Sequence, residues 1–394
     1  FLNIGLSAPT GKATARLKEA LNDKKNISFS KFLDQIEFQT LHRWILNSQN
    51  KSLKLKFKLK ELDIFIIDEM SMVNIDLIES VLNLLAKDCK IILVGDKNQL
   101  SPVNNCSIWN YLFEYSDNSS IKSCVVNLEK TYRNIGDIAL ISSLIFNNDF
   151  SLLNQKIKEL EKDNNSKEIT ISKSREKDIP KDLLFSITSH LKQLNISTSN
   201  LSKKKYIFDE SIDNLLLNEK DLVDKIFLDL QSHLILCEKN SGIWSVEYLN
   251  EIVFGQKKPY DLKTLKEGVP IMCTKNNNEL GLSNGDIGVL IGLKNKRKYL
   301  FRKFNDNNEE IVALIDPSNL ENVVPAIAIT IHKSQGSESE KVNILWSQNY
   351  RRNQYAVKEK KDNQNIFCRD NFERRLFYTA VTRAKKSLNI YYLN

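Results

Sequence analysis

The sequence predicts an α/β protein built on parallel sheets, and three observations support this fold class. Residues 62–67 and 90–94 are almost entirely apolar, as in strands that are buried on both faces of a sheet. Between them, apolar residues recur at helical spacing, at Ile78, Val81 and Leu82. Both apolar runs end on polar residues, which is where parallel sheets place ligands. Strand and helix therefore alternate through the first 145 residues.

The rest of the chain divides by composition. Residues 150–232 are rich in Lys, Glu, Asn and Ser, and we expect helices and loops of variable character there. Strand-like runs return near residue 234, and turn-rich patterns at 266–322 predict a small β-barrel-like insertion. The predicted organisation is a first domain at 1–147, a connecting region at 148–232 and a second domain at 233–394.

Composition gives only weak limits on function. The net charge of +8 suits a polyanionic partner, although basic residues bind nucleic acid only where they cluster. The six cysteines show no zinc-binding spacing, so we expect reduced thiols and a cytoplasmic protein. No apolar run approaches the roughly 20 residues of a membrane helix. The chain starts at Phe1, without a methionine and inside a predicted strand, so we expect a truncated N-terminus.

An acidic pair, Asp68-Glu69, ends the first apolar run. Phosphoryl transfer to water uses Mg²⁺ held through one carboxylate and a second carboxylate that orients the attacking water. Asp68 fits the first role and Glu69 the second. An Asp-Glu pair is also common in solvated turns, so this pair does not identify a catalytic site alone.

The second apolar run ends in a loop that strengthens this hypothesis. Gly95 allows a tight turn, and the Gln99 amide can donate to a phosphate oxygen and accept from water. Gln99 would then sense the terminal phosphate of a nucleotide. The alternative is an ordinary loop capped by Asp96, and the nearby acidic pair favours the nucleotide site.

Arginines and a polar string complete the candidate chemistry. Arg133 and Arg383 each lie beside small or hydroxyl residues and could act as arginine fingers, although a lone Arg is more often a surface ion pair. Residues 330–338 follow a predicted strand and combine hydroxyls, a lysine and a glycine, which suit a nucleic-acid backbone on one side and a nucleotide on the other. Trp44 is more typical of a core residue than of a base-stacking platform.

These segments occur in the order found in one helicase family. They resemble the motifs of RecD-type superfamily 1 DNA helicases, the family of the exodeoxyribonuclease V alpha subunit. The resembling segments are Ala8 to Leu17, Thr40 to Arg43, Asp68 to Met72, Gly95 to Val103, Tyr132-Arg133, Gly281 to Gly288, His332 to Glu338, and Tyr378 to Ala384.

The resemblance implies two RecA-like domains of the P-loop NTPase type, with a small SH3-like β insertion in the second. It also implies ATP and Mg²⁺ at the cleft, single-stranded DNA across the domains, 5′-to-3′ translocation, and RecB- and RecC-like partners in recombinational repair. The nucleotide contacts it implies are Gln99, Arg133, Gly336, Glu338 and Arg383. The DNA contacts it implies are Pro9, Thr10, Lys12, His42, Thr330, His332, Lys333 and Ser334.

The sequence departs from the family at the P-loop, which reads Gly-x4-Gly-Lys-Ser/Thr. Gly11-Lys12 lacks the partner glycine, because Leu6 occupies that position, and Ala13 replaces the Mg²⁺-binding hydroxyl. This segment resembles motif Ia instead, and we expect the P-loop upstream of the chain. Met70 replaces the usual alanine, and residues 104–106 depart from the expected glycine-bearing loop.

Three functions remain open from the sequence. The first is an ATP-driven helicase subunit, represented by a fragment that does not hydrolyse ATP alone. The second is a non-hydrolysing DNA-binding or scaffolding subunit. The third is a stand-alone RecD-like helicase.

Overall fold

A computed structural model shows two compact units, Phe1–Lys130 with Phe304–Glu310 and Thr131–Lys303 with Ile311–Asn394. The structure describes residues 2–22, 36–49, 57–101, 108–114, 123–128, 136–163, 166–175, 177–204, 219–277, 279–292, 296–304, 310–347, 367–368 and 370–393.

The first unit contains a parallel sheet with the strand order β2-β1-β3-β4. Its strands are β1 (Ile4–Ala8), β2 (Ile36–Thr40), β3 (Ile64–Ile67) and β4 (Lys90–Leu93). Its helices are α1 (Gly11–Asn22), α2 (Leu41–Gln49), α3 (Ile75–Leu82) and α4 (Ile108–Glu114).

Residues of the central strands and their helices form the core of this unit. Phe65 and Ile67 of β3 are fully buried, and Val81 of α3 packs in the same cluster. Trp44 is fully buried, its indole N–H donates to the Leu6 carbonyl at 3.4 Å, and its ring meets Phe65 edge to face. The interpretation of Trp44 as a core residue is therefore confirmed.

The second unit contains another parallel sheet, with the order β12-β6-β13-β14-β5. Its strands are β5 (Ile169–Ser174), β6 (His233–Cys237), β12 (Ile329–Thr330), β13 (Ser339–Trp346) and β14 (Ala384–Leu393). Its helices are α5 (Asp137–Phe146), α6 (Phe150–Lys162), α7 (Lys181–Ser202), α8 (Lys220–Ser232), α9 (Val246–Phe254) and α10 (Asn371–Val381).

Strand β5 corrects the expectation of only helices and loops between residues 150 and 232. It pairs in parallel with β14, and Ile169 and Ile171 point into the core. The strand is short and its neighbours in the sequence are polar, so the alternation of apolar and polar residues was too weak to identify a strand from the sequence. A row of side chains also crosses this sheet: Thr170 donates to Asn389 at 2.6 Å, and Asn389 donates to Asn343 at 2.8 Å.

A separate sheet lies between β6 and β12 in the sequence. Its strands are β7 (Pro270–Cys273), β8 (Ile287–Ile291), β9 (Lys298–Phe304), β10 (Glu310–Ile315) and β11 (Val323–Pro325), in the order β10-β9-β8-β7-β11. Strands β11, β7, β8 and β9 pair antiparallel along this order. Gly288 is required there, because an added Cβ would lie 2.4 Å from the Leu300 carbonyl oxygen. The β-rich insertion is thus present, while its SH3-like character and the domain boundaries stay predictions.

Two further features concern the described part of the chain. Its five cysteines, Cys89, Cys124, Cys237, Cys273 and Cys368, are all free thiols. None of its helices is both long enough and apolar enough to cross a membrane.

Candidate functional site

Backbone hydrogen bonds bring three strand ends together in the first unit. The Asp68 amide donates to the Ser7 carbonyl at 2.9 Å, and the Val94 amide donates to the Ile67 carbonyl at 2.8 Å. The Met70 amide then donates to the Val94 carbonyl at 3.0 Å. The loops after β1, β3 and β4 therefore share one edge of the sheet, where parallel sheets place ligands.

The acidic pair lies at the centre of this edge, with both side chains half-buried. One carboxylate oxygen of Asp68 accepts the Glu69 amide at 2.7 Å. Glu69 has φ 54° and ψ 41°, in the left-handed region that non-glycine residues rarely adopt. A backbone conformation of this kind costs on the order of 1 kcal/mol, and residues that adopt it cluster at functional sites. The Met72 amide donates to the Glu69 carbonyl at 2.9 Å and helps to hold Glu69 in this conformation.

The loop after β4 packs closely against the acidic pair. An added Cβ on Gly95 would lie 3.1 Å from the Met70 nitrogen, so the glycine permits this approach. Asp96 caps the turn, since its side chain accepts the Asn98 amide at 2.9 Å. Gln99 is buried, and its side-chain oxygen has no hydrogen-bond partner among the described residues. A buried acceptor of this kind is a candidate ligand contact.

The predicted DNA residues of the first unit lie at two neighbouring strand ends, because Ala8 of β1 pairs with Thr40 of β2. Thr10 caps α1, its hydroxyl oxygen accepting the Ala13 amide at 3.2 Å. Pro9 is half-buried beside it, and Lys12 is exposed. His42, in the first turn of α2, is also exposed.

In the second unit, residues 330–334 form a strand end followed by a single 3₁₀ turn. Thr330 and Ser334 are buried, and the Ser334 hydroxyl donates to the Ile331 carbonyl at 2.7 Å. His332 and Lys333 are half-buried, and burial lowers the pKa of both side chains. The Lys333 ammonium lies 3.9 Å from the Met272 sulfur. DNA contact by these four residues stays a prediction.

The predicted nucleotide contacts of this unit lie near one another. Gly336 has φ +68°, which favours glycine, and Glu338 pairs with Lys385 at 2.9 Å. Arg383 is only 2% exposed, and its guanidinium donates to the carbonyls of Thr379 at 3.0 Å and Ser337 at 3.2 Å. The guanidinium is thus engaged within its own unit, and its role as an arginine finger stays a prediction. Arg133 lies outside the described residues.

Sequence reasoning missed Glu238, a buried carboxyl group at the end of β6. One oxygen accepts the Ser347 amide at 2.7 Å and the Ser347 hydroxyl at 3.0 Å. The other has no hydrogen-bond partner among the described residues. Burial raises the pKa of Glu238 to about 7. The signal was available, because Glu238 follows an apolar run just as Asp68 does.

Comparisons with known proteins agree with the resemblance. Residues 2–105 match the model of an AAA domain, and residues 292–394 match that of a UvrD-like helicase C-terminal domain. The RecBCD enzyme subunit RecD of Buchnera aphidicola subsp. Schizaphis graminum is 30% identical, with 99% of this chain and 65% of the relative covered. The RecD subunit of Haemophilus influenzae is 27% identical, with 99% and 62% covered. The chain therefore spans less than two thirds of the length of these relatives.

One solved structure, Bacteroides Pif1 bound to single-stranded DNA, is 16% identical with a TM-score of 0.45, covering 99% of this chain and 88% of that one. A likeness of this strength carries no conclusion about function. The two matched domain models, the two parallel sheets and the RecD relatives identify two RecA-like domains. Along nearly its whole length, the chain is similar to RecD-like superfamily 1 helicases.

Proposed function

We propose that this chain is part of an ATP-dependent 5′-to-3′ DNA helicase subunit that acts with RecB- and RecC-like partners in an exodeoxyribonuclease V complex. The observation that carries the proposal is the acidic strand end, where Glu69 holds a left-handed backbone beside the Gly95–Gln99 turn. The names of the RecD relatives, which are subunits of RecBCD enzymes, support the proposed partners.

The acidic pair has the chemistry that a magnesium nucleotide needs. Mg²⁺ is usually bound through one or two carboxylates together with water and phosphate oxygens. Asp68 offers a half-buried carboxylate at the strand end, so we assign it to Mg²⁺. ATP would supply the phosphoanhydride bond whose cleavage drives movement. Glu69 would orient the attacking water, and the Gln99 amide would contact the terminal phosphate.

The chain alone is proposed to lack this activity. Its sequence contains no Gly-x4-Gly-Lys-Ser/Thr, whose backbone N–H groups and lysine cradle phosphates. Gly11 and Lys12 instead begin α1 after the Thr10 cap. The same absence favours a second candidate, a DNA-binding or scaffolding subunit that does not turn over ATP.

Hydrolysis of ATP by an extended protein separates these candidates, and substitution of Glu69 tests the role assigned to that residue. The experiment uses an extended protein that places a P-loop strand and helix ahead of Phe1. Glu69→Gln should reduce DNA-stimulated hydrolysis by about 100-fold or more while ATP binding persists, because the amide keeps the shape but cannot orient water as a carboxylate does. The control is Glu79→Gln, on the exposed face of α3. Hydrolysis within a few-fold of the unsubstituted protein would remove Glu69 from this role.

A further inference from the structure

An exposed aromatic ring lies beside one of the predicted DNA residues in the second unit. Phe372 is the second residue of α10, and 54% of its surface is exposed. Its ring stacks on the His332 imidazole, with the centroids 6.0 Å apart and the planes 30° from parallel. Phe367 and Phe377, which lie in or near the same helix, are fully buried, so Phe372 differs from them in its exposure.

Helix capping fixes the position of this ring. The Asp370 side chain accepts the Glu373 amide at 2.8 Å, which sets the first turn of α10. Glu373 points inward and is buried, while Phe372 points outward. His332 is positioned independently by the 3₁₀ turn after β12. Two separate elements therefore bring the rings together.

We propose that Phe372 and His332 form a stacking shelf for a nucleobase of single-stranded DNA. The inference rests on the proposed function, and it adds a base contact to a path otherwise assigned to phosphate contacts. Bases stack on exposed aromatic rings with little sequence preference, because every base has a flat π face.

The surroundings of the shelf suit a nucleic acid rather than an apolar peptide. Lys333 follows His332 directly, and Lys258 lies close enough to lower the pKa of Lys333, after the larger effect of burial. Burial also lowers the pKa of His332, which favours the uncharged imidazole ring. Flat rings flanked by ammonium groups match a base attached to a charged backbone.

The test compares two oligonucleotides of equal length, one of thymidines and one of abasic residues with the same phosphates. Binding to the 394-residue chain is measured by fluorescence anisotropy at several salt concentrations. Phe372→Ala should weaken binding of the thymidine oligonucleotide by roughly tenfold and leave the abasic one unchanged. Its salt slope should not change, because no phosphate contact is lost. Phe372→Tyr should restore the affinity. The matched control is Phe185→Ala, since Phe185 is 75% exposed on α7.

A second readout uses tryptophan. The four natural tryptophans are buried, so Phe372→Trp adds an exposed reporter whose emission should be quenched by the thymidine oligonucleotide and not by the abasic one. Equal effects of Phe372→Ala on both oligonucleotides, or no effect on either, would overturn the shelf while leaving the DNA path in place. Failure of the unsubstituted chain to bind either oligonucleotide would overturn both the shelf and the proposed DNA binding.

Discussion

At the scale of single residues, Lys12 and Lys333 have the same predicted role in different surroundings. Lys12 is exposed at the start of α1, whereas the Lys333 ammonium lies half-buried near Met272. The sequence could place both lysines just after predicted strands, because motif order identifies these segments, and their contact with DNA stays a prediction. It could not indicate the burial of Lys333, because Met272 lies 61 positions away and meets it only in the folded unit.

Substitution of either lysine should change the salt dependence of DNA binding. Lys12→Ala and Lys333→Ala should each weaken binding to all single strands alike and lower the magnitude of the salt slope by about 0.7 per lost phosphate contact. Anisotropy titrations at several salt concentrations measure this effect. Lys87→Ala, at an exposed position ahead of β4, provides the control. Unchanged affinity and slope in both variants would refute the DNA path.

The buried Glu238 carboxyl group makes stability depend on pH. Its folded pKa of about 7 lies above the ordinary value of 4.5, so the folded protein binds the proton more tightly than the unfolded protein. The free energy of unfolding should therefore fall by up to about 3 kcal/mol as the pH rises from 4.5 to 7. Glu238→Gln should stabilise the second unit at pH 8 and have little effect at pH 4.5. Urea unfolding at both pH values tests this, with the exposed Glu321→Gln as control. An equal shift at both pH values would contradict it.

At the scale of elements, strand ends were more predictable than side-chain partners. The apolar runs that form β3 and β4 are nearly continuous, so their ends indicated Asp68 and Gly95 directly. Strand β5 was missed because its alternation of apolar and polar residues is too short to distinguish it from a loop. The buried Asn343 was missed because a polar residue within a strand resembles a loop residue. The Arg383 contacts were missed because the Thr379 and Ser337 carbonyls are backbone atoms that the sequence pattern does not place.

Strand β4 leads to a prediction about sheet extension. It is the outer strand of the first sheet, and Ile91, Ile92 and Val94 are 38, 48 and 40% exposed. The Lys90 and Val94 amides bind β3, so by alternation the backbone groups of Ile91 and Leu93 point outward. An exposed apolar edge strand of this kind readily pairs with another strand.

In the extended protein with a P-loop strand, the Ile91 and Leu93 amides should therefore exchange hydrogen more slowly than in this chain alone. Hydrogen-exchange measurements resolved to single amides test this, with the amides of β3 as an internal reference. Equal exchange at Ile91 and Leu93 in both proteins would mean that the added strand does not pair with β4.

At the scale of the whole molecule, each unit carries part of the proposed chemistry. The first unit contains the acidic pair and the Gln99 loop, and the second contains the 330–338 string and Arg383. The fold of both units could be predicted, because the motifs recur in family order over nearly the whole chain. The sequence contains no Gly-x4-Gly-Lys-Ser/Thr, the fixed residue types and spacing that a P-loop requires, and the effect of this on ATP binding stays a prediction.

Steady-state ATP hydrolysis in the presence of single-stranded DNA tests the central claim most directly. The 394-residue chain should show no appreciable turnover, and the extended protein with a P-loop should show DNA-stimulated turnover that Glu69→Gln abolishes. Turnover by the chain alone near roughly 1 s⁻¹, at the low end of typical enzyme rates, would contradict the need for the P-loop. An extended protein that binds ATP and DNA but does not hydrolyse ATP would contradict the assignment of a helicase motor.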